Sequence, residues 1–297
     1  MALSATGPAP VRIRPYRAED QDAVLALIAD DRLTGQPETT AAMLTEALAG
    51  YSPTESDQWA ALDVPRTAVA HDPAGRVLGA ASYTTRSSDQ EGFVLWLHSG
   101  EDLPVASALI DAALADLGPR TVHAFAFASA LSLGLQGLPV RSRPATRKAL
   151  ESVGFSGRDQ CSYLHRHLRE LPHVPESRTY PIADVQTSDQ PPGRQLYLRD
   201  TDGALIGEAA LGEPVDGIGV LQWIEIGAAH RGRGLGGNLL TQCCDLLAGN
   251  GGHELIAYLP EDPPRDSRLD QPAAGHLLAT QGFEEIDTLC TFTRGPV

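Results

Sequence analysis

The sequence has little positive charge and almost no lysine. Its 297 residues include 23 Lys and Arg against 38 Asp and Glu, a formal net charge of −15, and Lys148 is the only lysine. Nucleic acids are bound by basic surfaces that face the phosphates, so this balance argues against DNA or RNA as the main partner. The acidity is compatible with a cationic ligand but is weak support for one, because an acidic surface that only keeps the protein in solution needs no partner.

Cysteine is also scarce. The four cysteines, Cys161, Cys243, Cys244 and Cys290, show neither the short paired spacing of a zinc site nor the density of a secreted disulfide scaffold. The first ten residues contain no basic segment followed by an apolar one, so no signal peptide is predicted. These features predict a reduced, cytoplasmic protein without a metal.

One uncharged stretch, residues 121–140, has about the length of a membrane span. In its first half Phe125 and Phe127 alternate with alanine, and its second half carries Gly134, Gly137 and Pro139. This pattern favours a buried strand followed by a loop, with membrane contact as the less favoured alternative. No membrane association is therefore expected.

The chain contains a weak internal duplication with an offset of 128 residues. Residues 75–81 match residues 203–209, and residues 150–155 match residues 278–283. With 42% apolar residues the chain is long enough for two cores. We therefore predict an α+β protein with a domain over 1–168, a linker over 169–178 and a second domain over 179–297.

Each copy is predicted to contain a mixed, mostly antiparallel sheet flanked by helices. The predicted elements of the first copy are strand 11–14, helices 18–29 and 39–49, hairpin 67–84, strand 93–98, helix 105–117, strand 122–128, helix 145–153 and strand 161–167. Those of the second copy are hairpin 195–211, strand 220–226, helix 236–248, strand 255–259, helix 273–280 and strand 289–293. The second copy lacks most of the leading helical segment, so the surface under it must be exposed or covered by the first copy.

A glycine-rich loop joins a strand to an apolar helix over residues 223–240. It contains Gly232, Gly234, Gly236 and Gly237, and two arginines, Arg231 and Arg233, lie within it. Small residues let a ligand approach the backbone, and the free amides and dipole of the helix attract an anion such as a diphosphate. A glycine turn that only packs the helix on the sheet is the alternative.

Two nucleotide-binding motifs fit this loop poorly. Gly232, Gly234 and Gly237 satisfy G-x-G-x-x-G, but Glu254 opens the following strand, where a dinucleotide site needs an acid at its end. A triphosphate loop is excluded because it requires a lysine after its last glycine, and Lys148 lies in a predicted helix.

The sequence Arg-Gly-Arg-Gly-Leu-Gly over residues 231–236 resembles the acyl-CoA signature of the GCN5-related N-acetyltransferase (GNAT) family. Residues 272–274 and 282–283 are similar to the second motif of that family, and residues 11–15 with Glu19 and Asp20 look like its usual opening. The resemblance implies a tandem pair of GNAT domains. Residues 103–108 of the first copy correspond to this signature at the 128-residue offset. They contain no glycine and no positive charge, so we expect that copy to bind acyl-CoA poorly or not at all.

The resemblance implies acetyl transfer from acetyl-CoA to an amine by direct attack. The acceptor would be a small, cationic amine, with no metal. The pantetheine arm would run between the diverging strands at Ile226 and Leu255. The expected CoA-binding residues are Ile226, Gly227, Ala228, Arg231, Gly232, Arg233, Gly234, Leu235, Gly236 and Gly237.

Catalytic groups are less clearly indicated. Glu225 interrupts an apolar strand beside the expected thioester and is the candidate base, although it could instead face solvent or pair with an arginine. Leu278 stands where many family members have the tyrosine that protonates CoA, and Gln271 stands where they have an asparagine, so Tyr258 is the candidate acid. His230 and His276 fit surface positions better. A non-catalytic acyl-CoA sensor or partner-binding protein is the alternative function.

Overall fold

The computed structural model describes residues 10–52, 56–168, 181–189, 192–261 and 271–296. The chain forms two compact units. Unit 1 comprises residues 1–33, 38–160 and 288–297, and unit 2 comprises residues 34–37 and 161–287. The predicted linker, 169–178, lies outside the described residues.

Unit 1 is a mixed sheet with helices on both faces. Its strands run in the order β1-β2-β3-β4-β5-β13, with β6 also paired to β13; β4 and β5 are parallel and the other pairs are antiparallel. Its elements are β1 (Arg12–Pro15), α1 (Gln21–Asp30), α2 (Ala41–Ala49), α3 (Ser56–Ala60), β2 (Arg66–His71), β3 (Val77–Arg86), β4 (Glu91–His98), α4 (Leu103–Leu117), β5 (Val122–Ala124), β6 (Leu138–Pro139), α5 (Pro144–Ser152), the start of β7 (Ser156–His167) and the end of β13 (Glu284–Arg294).

Apolar periodicity explains how this sheet is covered. Successive strand residues face opposite sides, so neighbouring residues of β4 enter different cores. Val94 packs with α4 and α5 in one cluster, whereas Phe93 and Leu95 pack with α1 and α2 in the other. Thr40 precedes helix α2, and its side chain accepts a hydrogen bond from the Met43 amide, the usual cap for a helix start.

Unit 2 contains a six-stranded sheet, β7-β12-β11-β10-β9-β8, among its described residues. Only β11 and β12 are parallel neighbours. Its further elements are β8 (Asp184–Asp189), β9 (Pro192–Arg199), β10 (Leu205–Gly212), β11 (Ile218–Ile226), α6 (Leu235–Gly249), β12 (Glu254–Pro260) and α7 (Gln271–Thr280). The apolar faces of α6 and α7 form one core with the inner residues of the sheet.

A β-bulge and a strand separation set the geometry of β11. Ala210 lies opposite Trp223 but Leu211 lies opposite Leu221, so Gln222 is the extra residue of a bulge. The parallel pairing of β11 with β12 ends at Leu221 and Ala257. Beyond this pair the strands are no longer hydrogen-bonded to each other. The predicted separation at Leu255 is wrong, because Leu255 is paired with Gly219 and the strands separate only after Ala257.

The two units cannot be obtained by dividing the chain once, at the predicted linker. Strand β7, from the first sequence copy, pairs with β12 in unit 2, and the end of β13, from the second copy, pairs with β5 in unit 1. Leu289, Cys290 and Phe292 of β13 are all buried there. The two copies have therefore exchanged their last strands, which the sequence boundaries of 1–168 and 179–297 do not describe.

The predicted α+β class, a mixed sheet flanked by helices in each copy, is confirmed. The prediction of a strand over 122–128 is wrong beyond Ala124, because Phe125 takes a positive φ of 58° and turns the chain out of the strand. The stretch is still buried at Phe125, Ala128 and Leu131. Strand β8 and helix α3 were not predicted. Among the described residues, no helix combines the length and the apolar character needed to cross a membrane.

Candidate acyl-CoA site

The site is built on the start of α6. Gly234 precedes this helix with φ 80° and ψ 2°, and it gives the helix no side-chain cap. Gly232 also has a positive φ, 73°. Non-glycine residues rarely adopt this conformation, so the two glycines fix the turn that aims the first helix amides outward. Those amides, together with the helix dipole, form a ready anion site.

A cleft of about 410 Å³ opens at this helix start. Gly236 lets α7 come close, because a Cβ there would lie 3.2 Å from Leu277 Cδ2. The cleft is bordered on the β11–α6 side by Ile224, Glu225, Ile226, His230, Arg231, Gly232, Gly234, Leu235, Gly236 and Gly237, and on the α7 side by Ala273, Ala274, His276, Leu277 and Thr280.

Both arginines of the loop are anchored to the bend that precedes it. Arg231 Nε donates to the Ile226 carbonyl at 3.0 Å, and Arg233 Nη2 donates to the Ala229 carbonyl at 3.2 Å. Arg231 thereby brings its charge to the cleft. The Ile226 carbonyl, expected to meet pantetheine, already accepts this hydrogen bond.

The structure brings most of the predicted CoA residues together. Gly227 and Ala228 lie in the adjoining bend and Arg233 lies in the glycine-rich loop; none of the three borders the cleft, and neither does Tyr258. The residues of α7 were missed as ligand contacts, although Ala273 and Ala274 lie in the predicted second motif. Their small size, which leaves room beside the glycines of α6, is the signal that could have indicated them.

Glu225 forms part of a like-charge pair. It lies directly opposite Glu208 on the antiparallel strand β10, and both side chains are half-buried. No ion pair to either carboxylate is present among the described residues. Like charges placed opposite each other on neighbouring strands are unfavourable, so this position would be stabilised by a cation.

Tyr258 lies on the face of the sheet that Glu225 also occupies. Ile224 and Ala257 pack into the helix-covered core, and strand alternation turns their neighbours Glu225 and Tyr258 to the opposite face. Burial raises the pKa of Tyr258 well above its usual value. The phenol therefore stays protonated over the physiological range.

A short segment from the first sequence copy packs beside Tyr258. Gln36 Nε2 donates to the Tyr163 hydroxyl at 3.2 Å, and that hydroxyl donates to the Thr34 carbonyl at 2.8 Å. The Tyr163 and Tyr258 rings lie 5.8 Å apart. Residues 34–37 thus cover part of the face that the short second copy leaves bare, one of the two outcomes expected from the sequence.

Helix α4 of unit 1, which corresponds to α6 in the duplication, starts differently. The Asp102 side chain caps α4 by accepting a hydrogen bond from the Val105 amide at 3.1 Å. A carboxylate stands at this helix start, whereas α6 has a bare glycine turn. A bound phosphate would meet negative charge there.

Comparison with known proteins agrees with this geometry. The family model described as "Acetyltransferase (GNAT) family" matches residues 162–283. A GCN5-related N-acetyltransferase from Sphaerobacter thermophilus has a TM-score of 0.58 at 15% identity, with 98% of each chain covered. A tandem GNAT protein from the clavulanic acid biosynthesis pathway has a TM-score of 0.54 at 16% identity, covering 96% of this chain and 98% of that one. No curated protein sequence matches the chain.

Residues 162–283 therefore match the GNAT acetyltransferase family by sequence. The chain as a whole has the fold of tandem GNAT proteins, with the acyl-CoA motif in its C-terminal copy.

Proposed function

We propose that the protein is an N-acetyltransferase that transfers the acetyl group of acetyl-CoA to an amine. The observation that carries the proposal is the uncapped, glycine-shaped start of α6, which opens onto a cleft beside Arg231. An acyl-CoA diphosphate has the charge and size for such a helix start. The four cysteines, none of which is in a disulfide, support the accompanying proposal of a cytoplasmic location.

In this proposal the CoA diphosphate binds the amides of residues 232–237, and the pantetheine arm enters where β11 and β12 separate. A backbone amide at the bend after β11 would polarise the thioester carbonyl. The acceptor nitrogen must be neutral to attack the carbonyl carbon. Its C–N bond forms as the C–S bond breaks, Glu225 accepts the proton directly or through water, and Tyr258 donates one to the departing thiolate.

The acceptor is proposed to be a small cationic amine. The half-buried Glu208 and Glu225 pair offers two carboxylates to such a molecule, and the net charge of −15 attracts it from solution. A polyamine, an aminoglycoside or a cationic peptide has the required chemistry.

The test is release of free CoA thiol from acetyl-CoA across a panel of amines. We expect turnover with amines that carry a second positive charge and little with neutral aromatic amines. Glu225→Gln should lower kcat, whereas Glu208→Gln should mainly raise KM for the amine. Glu213→Gln, on the exposed surface of unit 2, is the matched control and should leave both constants unchanged.

A non-catalytic acyl-CoA binder is the second candidate. It is favoured by Leu278, which is 3% exposed in the core where many family members carry a catalytic tyrosine. Saturable CoA binding without turnover of any amine in the panel would establish this second function and contradict the first.

A further inference from the structure

Two histidines and a glutamate meet on the β7–β12 pair of unit 2, away from the residues that border the acyl-CoA cleft. Glu254 lies directly opposite His167, and His165 lies two residues before His167, so all three side chains share one face. We call His165, His167 and Glu254 the histidine cluster. Their donor atoms all lie within 4.8 Å of one another.

The distances suit a single metal ion. His165 Nε2 is 2.8 Å from Glu254 Oε2, and His167 Nδ1 is 3.8 Å from Glu254 Oε1. Donors of a tetrahedral zinc ion, with bonds of about 2.0–2.1 Å, are roughly 3.4 Å apart. The observed separations lie on either side of this value, so small side-chain rotations bring all three donors onto one ion.

A third histidine approaches the same carboxylate. His253 Nδ1 lies 3.7 Å from Glu254 Oε1. A hydrogen bond from His165 alone would satisfy that buried ring, but it does not account for two further imidazole nitrogens near the other oxygen. A cation held by the histidine cluster gives the His167 nitrogen a ligand role, whereas His253 is not in the group whose donor atoms all lie within 4.8 Å of one another and stays beside the site.

The surrounding backbone holds these rings in place. A Cβ at Gly35 would lie 2.6 Å from His165 Cδ2, and a Cβ at Gly217 would lie 2.5 Å from the His253 ring. The His253 amide donates to the Gly217 carbonyl at 2.8 Å. His165 is 4% exposed, whereas His167 is 60% exposed, so the cluster has a rigid inner side and a side open to solvent.

We propose that the histidine cluster binds one divalent transition-metal ion, with Zn²⁺ as the best match to its nitrogen and carboxylate donors. Strand β7 comes from the first sequence copy, whereas His253 and Glu254 come from the second. The ion therefore ties the exchanged strand to its host sheet, and its role is to stabilise unit 2 rather than to take part in acyl transfer.

The test is calorimetric titration of the full-length, tag-free protein with Zn²⁺ in a buffer that does not bind metals. We expect one equivalent per chain, removed by a chelator, with a rise in Tm of several degrees. Because His167 is exposed, His167→Ala should fold normally and lose at least tenfold in affinity. Glu254→Gln should do the same.

His71→Ala, in unit 1, is the matched control and should bind Zn²⁺ as the parent protein does. Co²⁺ should give the visible absorption of a low-symmetry site in the parent protein but not in His167→Ala. The proposal is overturned if no saturable binding occurs, or if one-to-one binding persists unchanged in both His167→Ala and Glu254→Gln, since the ion would then lie elsewhere.

Discussion

Tyr258 lies one residue beyond the last paired residue of β12 with β11, at the point where the two strands separate. Burial first, and then electrostatic interaction with Tyr163 and with Cys161, raise its pKa. The pKa of the Cys161 thiol is itself raised to about 12, by burial and then by the charge of Glu261. Tyr258 is thus protonated at neutral pH, as a proton donor must be, and Cys161 is not a thiolate nucleophile there.

Tyr258→Phe is expected to lower kcat by roughly 10²-fold at neutral pH, a typical loss for a general acid. The deficit should shrink above about pH 8.5, the pKa of an ordinary thiol, because the CoA thiolate then leaves without a proton. Tyr258 itself stays protonated over this range because its pKa is raised. The measurement is the pH dependence of kcat for both proteins.

Tyr83→Phe is the matched control for this experiment. Tyr83 is a buried tyrosine of unit 1 whose pKa is raised to about 12, chiefly by burial, and it lies outside the acyl-CoA cleft. Its substitution should leave the pH profile unchanged. A Tyr258→Phe deficit that is the same at every pH would contradict the assignment of Tyr258 as the acid.

The two corresponding helices α4 and α6 have opposite chemistry at their first turns. Asp102 precedes α4 and its carboxylate satisfies an amide of the helix, whereas Gly234 precedes α6 and leaves the helix amides without a side-chain cap. This difference could be predicted from the sequence because glycine spacing acts locally through φ. The bulge at Gln222 could not, because it depends on how β11 meets β10 across the sheet.

The start of α1 provides a pH-dependent stability contribution. The Asp20 carboxylate accepts two hydrogen bonds from the Arg14 guanidinium, at 2.6 and 2.7 Å, and one from the Arg17 amide at 2.8 Å. Chiefly through the Arg14 hydrogen bonds, these contacts lower the pKa of Asp20. The stabilisation is therefore present above the unfolded pKa of about 3.9 and is lost as the pH falls through the folded pKa.

Asp20→Asn should lower the free energy of unfolding by roughly 1.5–3 kcal/mol at neutral pH, the usual range for hydrogen bonds to charged groups. The deficit should diminish in acid, where the parent carboxyl is also protonated. Urea unfolding at neutral and acid pH measures this difference in the free energy of unfolding.

Glu19→Gln is the control: it removes an exposed ion pair with Arg17 and should have little effect. An Asp20→Asn deficit that does not change with pH would contradict a stabilising role for the ionised Asp20 carboxylate.

At the scale of the whole molecule, the duplication predicted two similar α+β copies but not the exchange of their last strands. The pairing of Phe292 with Ala124 and of Tyr163 with Tyr258 joins residues far apart in the chain. Local sequence patterns carry no information about which distant strand completes a sheet. For the same reason the histidine cluster was missed, since His165 and Glu254 are separated by 89 residues.

The asymmetry between the copies predicts that one acyl-CoA binds per chain. Only the second copy has the bare glycine turn, and the first presents Asp102 at the matching helix start. The different helix starts, like the exchange of strands, mean that the two copies are not equivalent, independent domains. In the proposed function, CoA binds the start of α6.

Calorimetric titration with CoA tests this claim most directly. The parent protein should bind one CoA per chain. Gly234→Asp should weaken binding at least 100-fold, because aspartate is strained at a φ of 80° and brings negative charge to the phosphate site. Asp102→Asn, at the start of α4, should bind as the parent does. Undiminished binding to Gly234→Asp that retains the parent's circular dichroism, or two CoA molecules per chain in the parent, would contradict the account.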